Sequence, residues 1–221
     1  MRQSMSTPID SQFDRLCRSN VVAILRGVDT DDAIQSVAAI RDGGVQTVEI
    51  TANSPNVLET IKAVRSVFDE DELMIGAGTV LDSETARETL MAGAEFIVTP
   101  SFDEAVVKLA NRYGCIVTPG VMTPTEAVNA FEAGAPMVKL FPAGQLGPGH
   151  VRSLRGPLPQ IPIMPTGGVT TKNVGAFFDA GAAAVGVGSS IVDTEAISAG
   201  NFDMLRQNAE AFMNEIDSIH S

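Results

Sequence analysis

Short apolar runs that alternate with helical patterns along the whole chain constrain its fold more than any other feature. The runs lie at 21–26, 47–51, 74–79, 96–100, 116–120, 137–142, 163–168 and 184–189. Helical periodicity marks 31–42, 55–68, 83–92, 103–113, 124–133 and 171–180 between them. Several of these segments open on Asp, Ser or Thr, or carry Pro in the first turn, as helix starts do. Several run out into Gly43-Gly44, Ala92-Gly93, Ala133-Gly134 or Ala180-Gly181, and glycine just past the last turn is the usual helix stop. Strict strand–helix alternation implies a parallel sheet. Eight such units in 221 residues predict an α/β chain forming a single (β/α)8 TIM barrel, one domain over 1–221. Further helices near 11–19 and 201–219 fit as caps, the first as an extra N-terminal helix. An open doubly wound sheet would need a glycine fingerprint after its first strand. The nearest candidate, Gly76-Ala77-Gly78-Thr79-Val80-Leu81, has leucine where the third glycine belongs.

Barrels of this kind carry their chemistry at the C-terminal ends of the strands. Those ends read Arg26, Glu49 to Asn53, Thr79, Pro100, Gly120, Lys139 to Phe141, Thr166-Gly167-Gly168 and Gly188-Ser189. Lys139 stands alone in the run Met137-Val138-Lys139-Leu140-Phe141-Pro142. In an extended strand it shares one face with Met137 and Phe141, while Val138 and Leu140 share the other. An ammonium placed inside by a strand is desolvated, which favours the neutral amine, and a neutral amine forms Schiff bases with ketones. The alternative is a strand-edge lysine with its stem packed and its head in water.

The same parity turns Glu49 of Thr47-Val48-Glu49-Ile50-Thr51 inward. A buried carboxylate needs a partner or a raised pKa. Two roles are open to it: an ion pair with Arg26 on the neighbouring strand, or a general acid/base. The glycines of Thr166-Gly167-Gly168-Val169-Thr170 and Gly186-Val187-Gly188-Ser189-Ser190 either ease tight turns or let backbone N–H groups approach a phosphate. Loops after the seventh and eighth strands are the frequent phosphate site of this fold. His150 and His220 are the only histidines, neither at a strand end, and both read as surface residues with His150 a potential loop contact. No cluster has metal-ligand spacing, so neither metal nor cofactor is expected. A serine triad lacks its elbow motif.

The net charge of −12, from 27 acids and 15 bases, argues against nucleic acid and anionic membranes as partners while leaving room for a local anion site. Only four of the bases are lysines: Lys62, Lys108, Lys139 and Lys172. That balance fits a salt-adapted source or an ordinary acidic enzyme. Cys17 and Cys115 read as small buried hydrophobes without a disulfide. Residues 1–14 lack an apolar signal core, and no stretch reaches membrane-spanning length, so the expected location is the cytoplasm.

Seven segments, in collinear order, carry a family resemblance. They are Val22-Ala23-Ile24-Leu25-Arg26-Gly27, Val48-Glu49-Ile50-Thr51, Gly76-Ala77-Gly78-Thr79-Val80, Phe96-Ile97-Val98-Thr99-Pro100, Pro119-Gly120-Val121-Met122-Thr123-Pro124-Thr125-Glu126, Lys139-Leu140-Phe141-Pro142 and Pro165-Thr166-Gly167-Gly168-Val169. Together they resemble the bacterial-type 2-dehydro-3-deoxy-6-phosphogluconate (KDPG) aldolases, a family that includes 4-hydroxy-2-oxoglutarate (KHG) aldolases.

The resemblance implies a Schiff-base lysine at Lys139 and a general acid/base at Glu49. It implies pyruvyl contacts at Arg26, Thr79 and Phe141, further substrate contacts at Asn53, Pro100 and Thr166, and a phosphate site at Gly167, Gly168, Gly188 and Ser189. A phosphorylated 2-keto-3-deoxy sugar acid as ligand and a homotrimeric assembly follow from it too. Many gluconate enzymes have arginine in a Thr-Leu-Arg-Thr sequence after the glutamate strand. Here Thr51-Ala52-Asn53-Ser54-Pro55 is closer to the related phosphogalactonate aldolases, whereas Thr166 matches the gluconate enzymes. The expectation is cleavage of the gluconate epimer, with the galactonate epimer or 4-hydroxy-2-oxoglutarate as alternatives. A phosphosugar isomerase or synthase barrel without an imine, or a non-catalytic phosphate-binding barrel, would represent a different class.

Overall fold

Most strands in the structure are followed by a helical return that brings the next strand alongside in parallel. The structure, a computed structural model, describes residues 7–220; residues 1–6, part of the segment read above for a signal sequence, and the side chain of His220 lie outside what is described. The first half runs α1 (Pro8–Ser19), β1 (Val21–Leu25), α2 (Thr30–Asp42), β2 (Thr47–Thr51), α3 (Val57–Val67), β3 (Met74–Gly78), α4 (Ser83–Ala92), β4 (Phe96–Val98) and α5 (Glu104–Arg112). The second half runs β5 (Ile116–Thr118), β6 (Gly120–Val121), α6 (Pro124–Glu132), β7 (Val138–Leu140), α7 (Ala143–Arg155), β8 (Ile163–Pro165), α8 (Val174–Asp179), β9 (Val185–Val187), α9 (Thr194–Ser198) and α10 (Phe202–His220).

Helix boundaries follow local chemistry. Thr7 and Thr123 form capping boxes with Asp10 and Glu126, with Pro8 and Pro124 opening the helices behind them. Asp82 and Asp103 accept from backbone N–H groups of the first turns of α4 and α5. Gly93 ends α4 at φ 111°, a conformation that a side chain would strain.

The strands form an α/β fold with a curled parallel sheet, in two pieces. One sheet has the order β5-β4-β3-β2-β1-β9 and the other β6-β7-β8. This corrects the expectation of one continuous eight-stranded closed sheet. The fifth expected strand is broken at Pro119, which has no N–H to offer a ladder. On the other side, β8 and β9 meet through a single bridge, Thr166 to Gly186.

Strand parity sorts the core. Val48, Ile50, Ile75, Val117, Val138 and Leu140 point outward and join the helices in the larger apolar cluster. Val22, Met74, Phe96, Ile116, Met137 and Met164 point inward and form a second cluster with Leu16 of α1. The N-terminal helix therefore closes the lower end of the curled sheet. It is tied there by Gln12, whose Oε1 accepts from Ile116 N at 2.8 Å, and by the Arg15–Glu95 ion pair at 2.9 Å. Burying Leu16 contributes about 2–3 kcal/mol, so α1 is anchored mainly by its apolar face. The cavity lined by the strands' polar residues lies at the opposite, upper end.

The segment 143–155, for which no helix was predicted, is helical with a break at Gly147 (φ 73°) beside Pro148. Gly144, Gly147, Pro148 and Gly149 obscure the periodicity there. Among the described residues no helix is long and apolar enough to cross a membrane.

Candidate active site

The upper ends of the strands enclose a cavity of about 500 Å³. Its wall includes Arg26, Thr79, Pro100, Lys139, Phe141, Thr166, Gly167, Gly168, Gly188 and Ser189. The structure thus brings together ten of the twelve residues picked from the sequence. The other two, Glu49 and Asn53, stand just off the wall, one beneath it and one at the rim.

Lys139 is carried by β7 with Val138 and Leu140 in the outer core on either side, so strand alternation alone sends its side chain inward. It is 3% exposed, and its Nζ lies 5.2 Å from the centre of the Phe141 ring. Burial holds its pKa below the ordinary lysine value. The negative charge of Glu49 opposes that shift, and the positive charge of Arg26 adds to it. The amine therefore takes its neutral, nucleophilic form more readily than a surface lysine does.

Glu49 is fully buried, and neither carboxylate oxygen has a hydrogen-bond partner among the described residues. Burial raises its pKa, against the pull of Lys139 and Arg26. The carboxylate lies against Gly78 on the next strand, which has no side chain to compete for that space. The proposed Arg26 ion pair is not formed. Arg26 instead donates from Nη1 to Asn53 Oδ1 at 3.1 Å and from Nη2 to Thr79 Oγ1 at 3.2 Å.

Thr79 holds a left-handed backbone conformation, φ 56°, which is rare and costly for a β-branched residue. Gly167 and Gly168 follow at φ 85° and 79°, and Gly168 approaches Gly144 so closely that a Cβ would meet backbone. The Gly167 carbonyl accepts from Gly144 N at 2.6 Å. Beside this turn lies Gly188-Ser189-Ser190, where Ser190 Oγ donates to Val169 O at 3.0 Å. Thr166 is 2% exposed and donates to Met164 O at 3.3 Å, in space that Gly186 leaves open.

Several neighbours escaped the sequence reading. Ile24, Val169, Thr170 and Ser190 also line the cavity. Ser54 accepts from Gly27 N at 2.8 Å and lies 2.9 Å from Thr51 Oγ1, joining the loops after β1 and β2. Thr118 is buried on β5 with an unpaired hydroxyl. Alternate glycines in the run of residues 76–78 were a visible signal of close approach inside the sheet; the others gave none.

His150 is half-buried, its Nε2 2.8 Å from Met122 O, so it makes the loop contact considered for it. Cys17 is half-buried and Cys115 buried, both free; burial pushes the Cys115 thiol up to about 12. No group of three His, Cys, Asp or Glu among the described residues could hold a metal ion.

A buried amine and a buried carboxylate over a glycine-lined cavity define a site suited to carbonyl chemistry. The chain belongs to the KDPG and KHG aldolase family, whose model matches residues 13–208, and is thus an aldolase, a carbon–carbon lyase. It is 41% identical over 172 residues to 2-dehydro-3-deoxy-6-phosphogalactonate aldolase of Escherichia coli K12, covering 77% of this chain and 83% of the relative. It is 32% identical over 194 residues to 2-dehydro-3-deoxy-phosphogluconate aldolase of Treponema pallidum, covering 87% and 91%. A solved structure of KDPG aldolase from Legionella pneumophila, with pyruvate captured as a covalent carbinolamine, superposes with a TM-score of 0.84 at 25% identity, covering 94% of this chain and 98% of that one.

Proposed function

We propose that the protein is a metal-independent class I aldolase that reversibly cleaves 2-dehydro-3-deoxy-6-phosphogluconate to pyruvate and glyceraldehyde 3-phosphate. The observation that carries this reading is Lys139, 3% exposed on the wall of the cavity, with the unpaired carboxylate of Glu49 as its charged neighbour. Lys139 Nζ attacks the C2 ketone, and loss of water gives the protonated imine. Glu49, through a water molecule, takes the C4 hydroxyl proton as the C3–C4 bond breaks, and the imine accepts the electron pair as an enamine. Protonation at C3 and hydrolysis return the lysine and release pyruvate. Arg26, Thr79 and Phe141 hold the pyruvyl end, Pro100 and Thr166 the middle. Gly167, Gly168, Gly188 and Ser189 hold the phosphate of the aldehyde product through backbone N–H groups. The carbinolamine captured in the Legionella protein supports the covalent step, since it needs an amine nucleophile.

A second reading, the galactonate epimer, is favoured by the Escherichia coli relative at 41% identity and by Asn53. We prefer gluconate because Thr166, a hydroxyl on the cavity wall, discriminates substrate hydroxyls more strongly than a loop residue does. We also read the chain as a single domain of a cytoplasmic homotrimer, an assembly that light scattering tests. The activity itself is tested by coupling pyruvate release from each C4 epimer to lactate dehydrogenase. Pyruvate formed from neither would refute the proposal, and faster release from galactonate would reverse the order of the two readings.

A further inference from the structure

Two cationic side chains reach the cavity wall, Arg26 and Lys139. Burial holds Lys139 toward its neutral form, so the standing positive charge offered to an anionic ligand is that of Arg26. Its side chain is exposed and, left alone, would sample many rotamers. Two neighbours prevent this: Asn53 Oδ1 at 3.1 Å from Nη1 and Thr79 Oγ1 at 3.2 Å from Nη2. A guanidinium only donates, so the Asn53 amide must present its oxygen. Both acceptors are neutral, and none of the ion pairs among the described residues involves Arg26.

The acceptor is itself held. Ser54, next in the chain, accepts from Gly27 N at 2.8 Å and contacts Thr51 Oγ1 at 2.9 Å. On the other side Ala52 N donates to Gly78 O at 2.7 Å. The loop after β2 is therefore tied to both neighbouring strand ends, and Asn53 stands in a fixed place just outside the cavity wall.

We propose that Asn53 is a positioning residue that aims Arg26 into the cavity while leaving its charge uncompensated, so that a 2-keto acid's carboxylate meets a full cation beside Lys139. An aspartate would have the same shape and accept the same hydrogen bond, yet it would neutralise Arg26 and repel the incoming carboxylate. The amide supplies aim without charge. This role rests on the Schiff-base reading above and adds to it a residue that acts through Arg26 rather than by touching the ligand.

The test measures borohydride-trapped adduct on the intact protein against ligand concentration, using pyruvate and its neutral methyl ester. Wild type, Asn53→Ala, Asn53→Asp, Arg26→Ala and the Arg26→Ala/Asn53→Ala double variant are compared, with circular dichroism to check folding. Asn53→Ala should raise the half-saturating pyruvate concentration about tenfold, the scale of one charge-assisted hydrogen bond, and Asn53→Asp should raise it further. The ester should be unmoved in both, and Asn53→Ala should add nothing once Arg26 is gone. Equal shifts for pyruvate and ester, an Asn53→Asp variant like wild type, or additive effects in the double variant would overturn the proposal. Absence of any wild-type adduct would instead refute the Schiff-base reading on which it stands.

Discussion

Gly78 makes room for Glu49: a Cβ built on Gly78 would collide with the Cδ and Oε1 of the Glu49 side chain. The two residues sit on neighbouring strands, with Gly78 paired to Thr51 and Gly76 to Glu49 itself. The missing side chain is thus what lets a carboxylate occupy the interior of the sheet without a partner.

Gly78→Ala should therefore displace the carboxylate. Overpacking of this kind costs about 1–3 kcal/mol, readable as a lower urea midpoint, and turnover should fall by at least as much as in a Glu49 variant. An alanine variant with normal turnover would show that the position of Glu49 is not critical.

Glu49→Gln should lower turnover by about 10²–10⁴, the usual contribution of a positioned proton-transfer group, while still allowing some pyruvate adduct, since water can serve imine formation. Stopped-flow turnover and mass spectrometry of the reduced adduct check the two halves. Near-normal turnover would leave Glu49 a structural role only.

The pH dependence follows from the causes of the shifts. Lys139 is displaced below 10.5 by burial, upward by Glu49 and downward by Arg26. Adduct formation at saturating pyruvate should rise with pH at a midpoint below 10.5. Removing the Glu49 charge should lower that midpoint, and Arg26→Ala should raise it. Between its folded value and 10.5, Lys139 is protonated in the unfolded chain and neutral in the fold, so stability gains with rising pH. Lys139→Met should thus be stabilising relative to wild type at low pH, an advantage lost as pH rises through this window. Midpoints that ignored both neighbours would contradict the electrostatic account.

Much of this site was legible because strand parity is strict. One polar residue among apolar neighbours, as at Lys139 or Glu49, can only point inward when both flanking residues belong to the outer core. The glycines after β8 and β9 were legible for a similar reason, since backbone conformation restricts residue choice. What parity could not give was depth: Glu49 lies beneath the cavity wall, and the chain offers no local mark of that. Nor did the sequence tell that Asn53 contacts Arg26, a contact made across two loops, or that Pro119 would divide the sheet, because a single proline at a strand end has several harmless placements. The helix of residues 143–155 was hidden by its own glycines and proline.

Thr166→Val should shift the ratio of the two epimer efficiencies toward galactonate. Valine keeps the volume beside Gly186 but removes the hydroxyl that now donates to Met164 O at 3.3 Å. A polar match to a substrate hydroxyl discriminates more than bulk does. Measuring kcat/KM for both epimers decides it; an unmoved ratio would transfer the choice of epimer to the Asn53 loop.

The most direct measurement is borohydride reduction in the presence of pyruvate, followed by peptide mass mapping of wild type and Lys139→Met. Methionine fills a similar volume and cannot form an imine, so the folded variant should lose both the adduct and turnover. Wild type should gain one pyruvyl adduct, and the modified residue should be Lys139. An adduct on Lys62, Lys108 or Lys172, or a Lys139→Met protein that still cleaves substrate, would contradict the account.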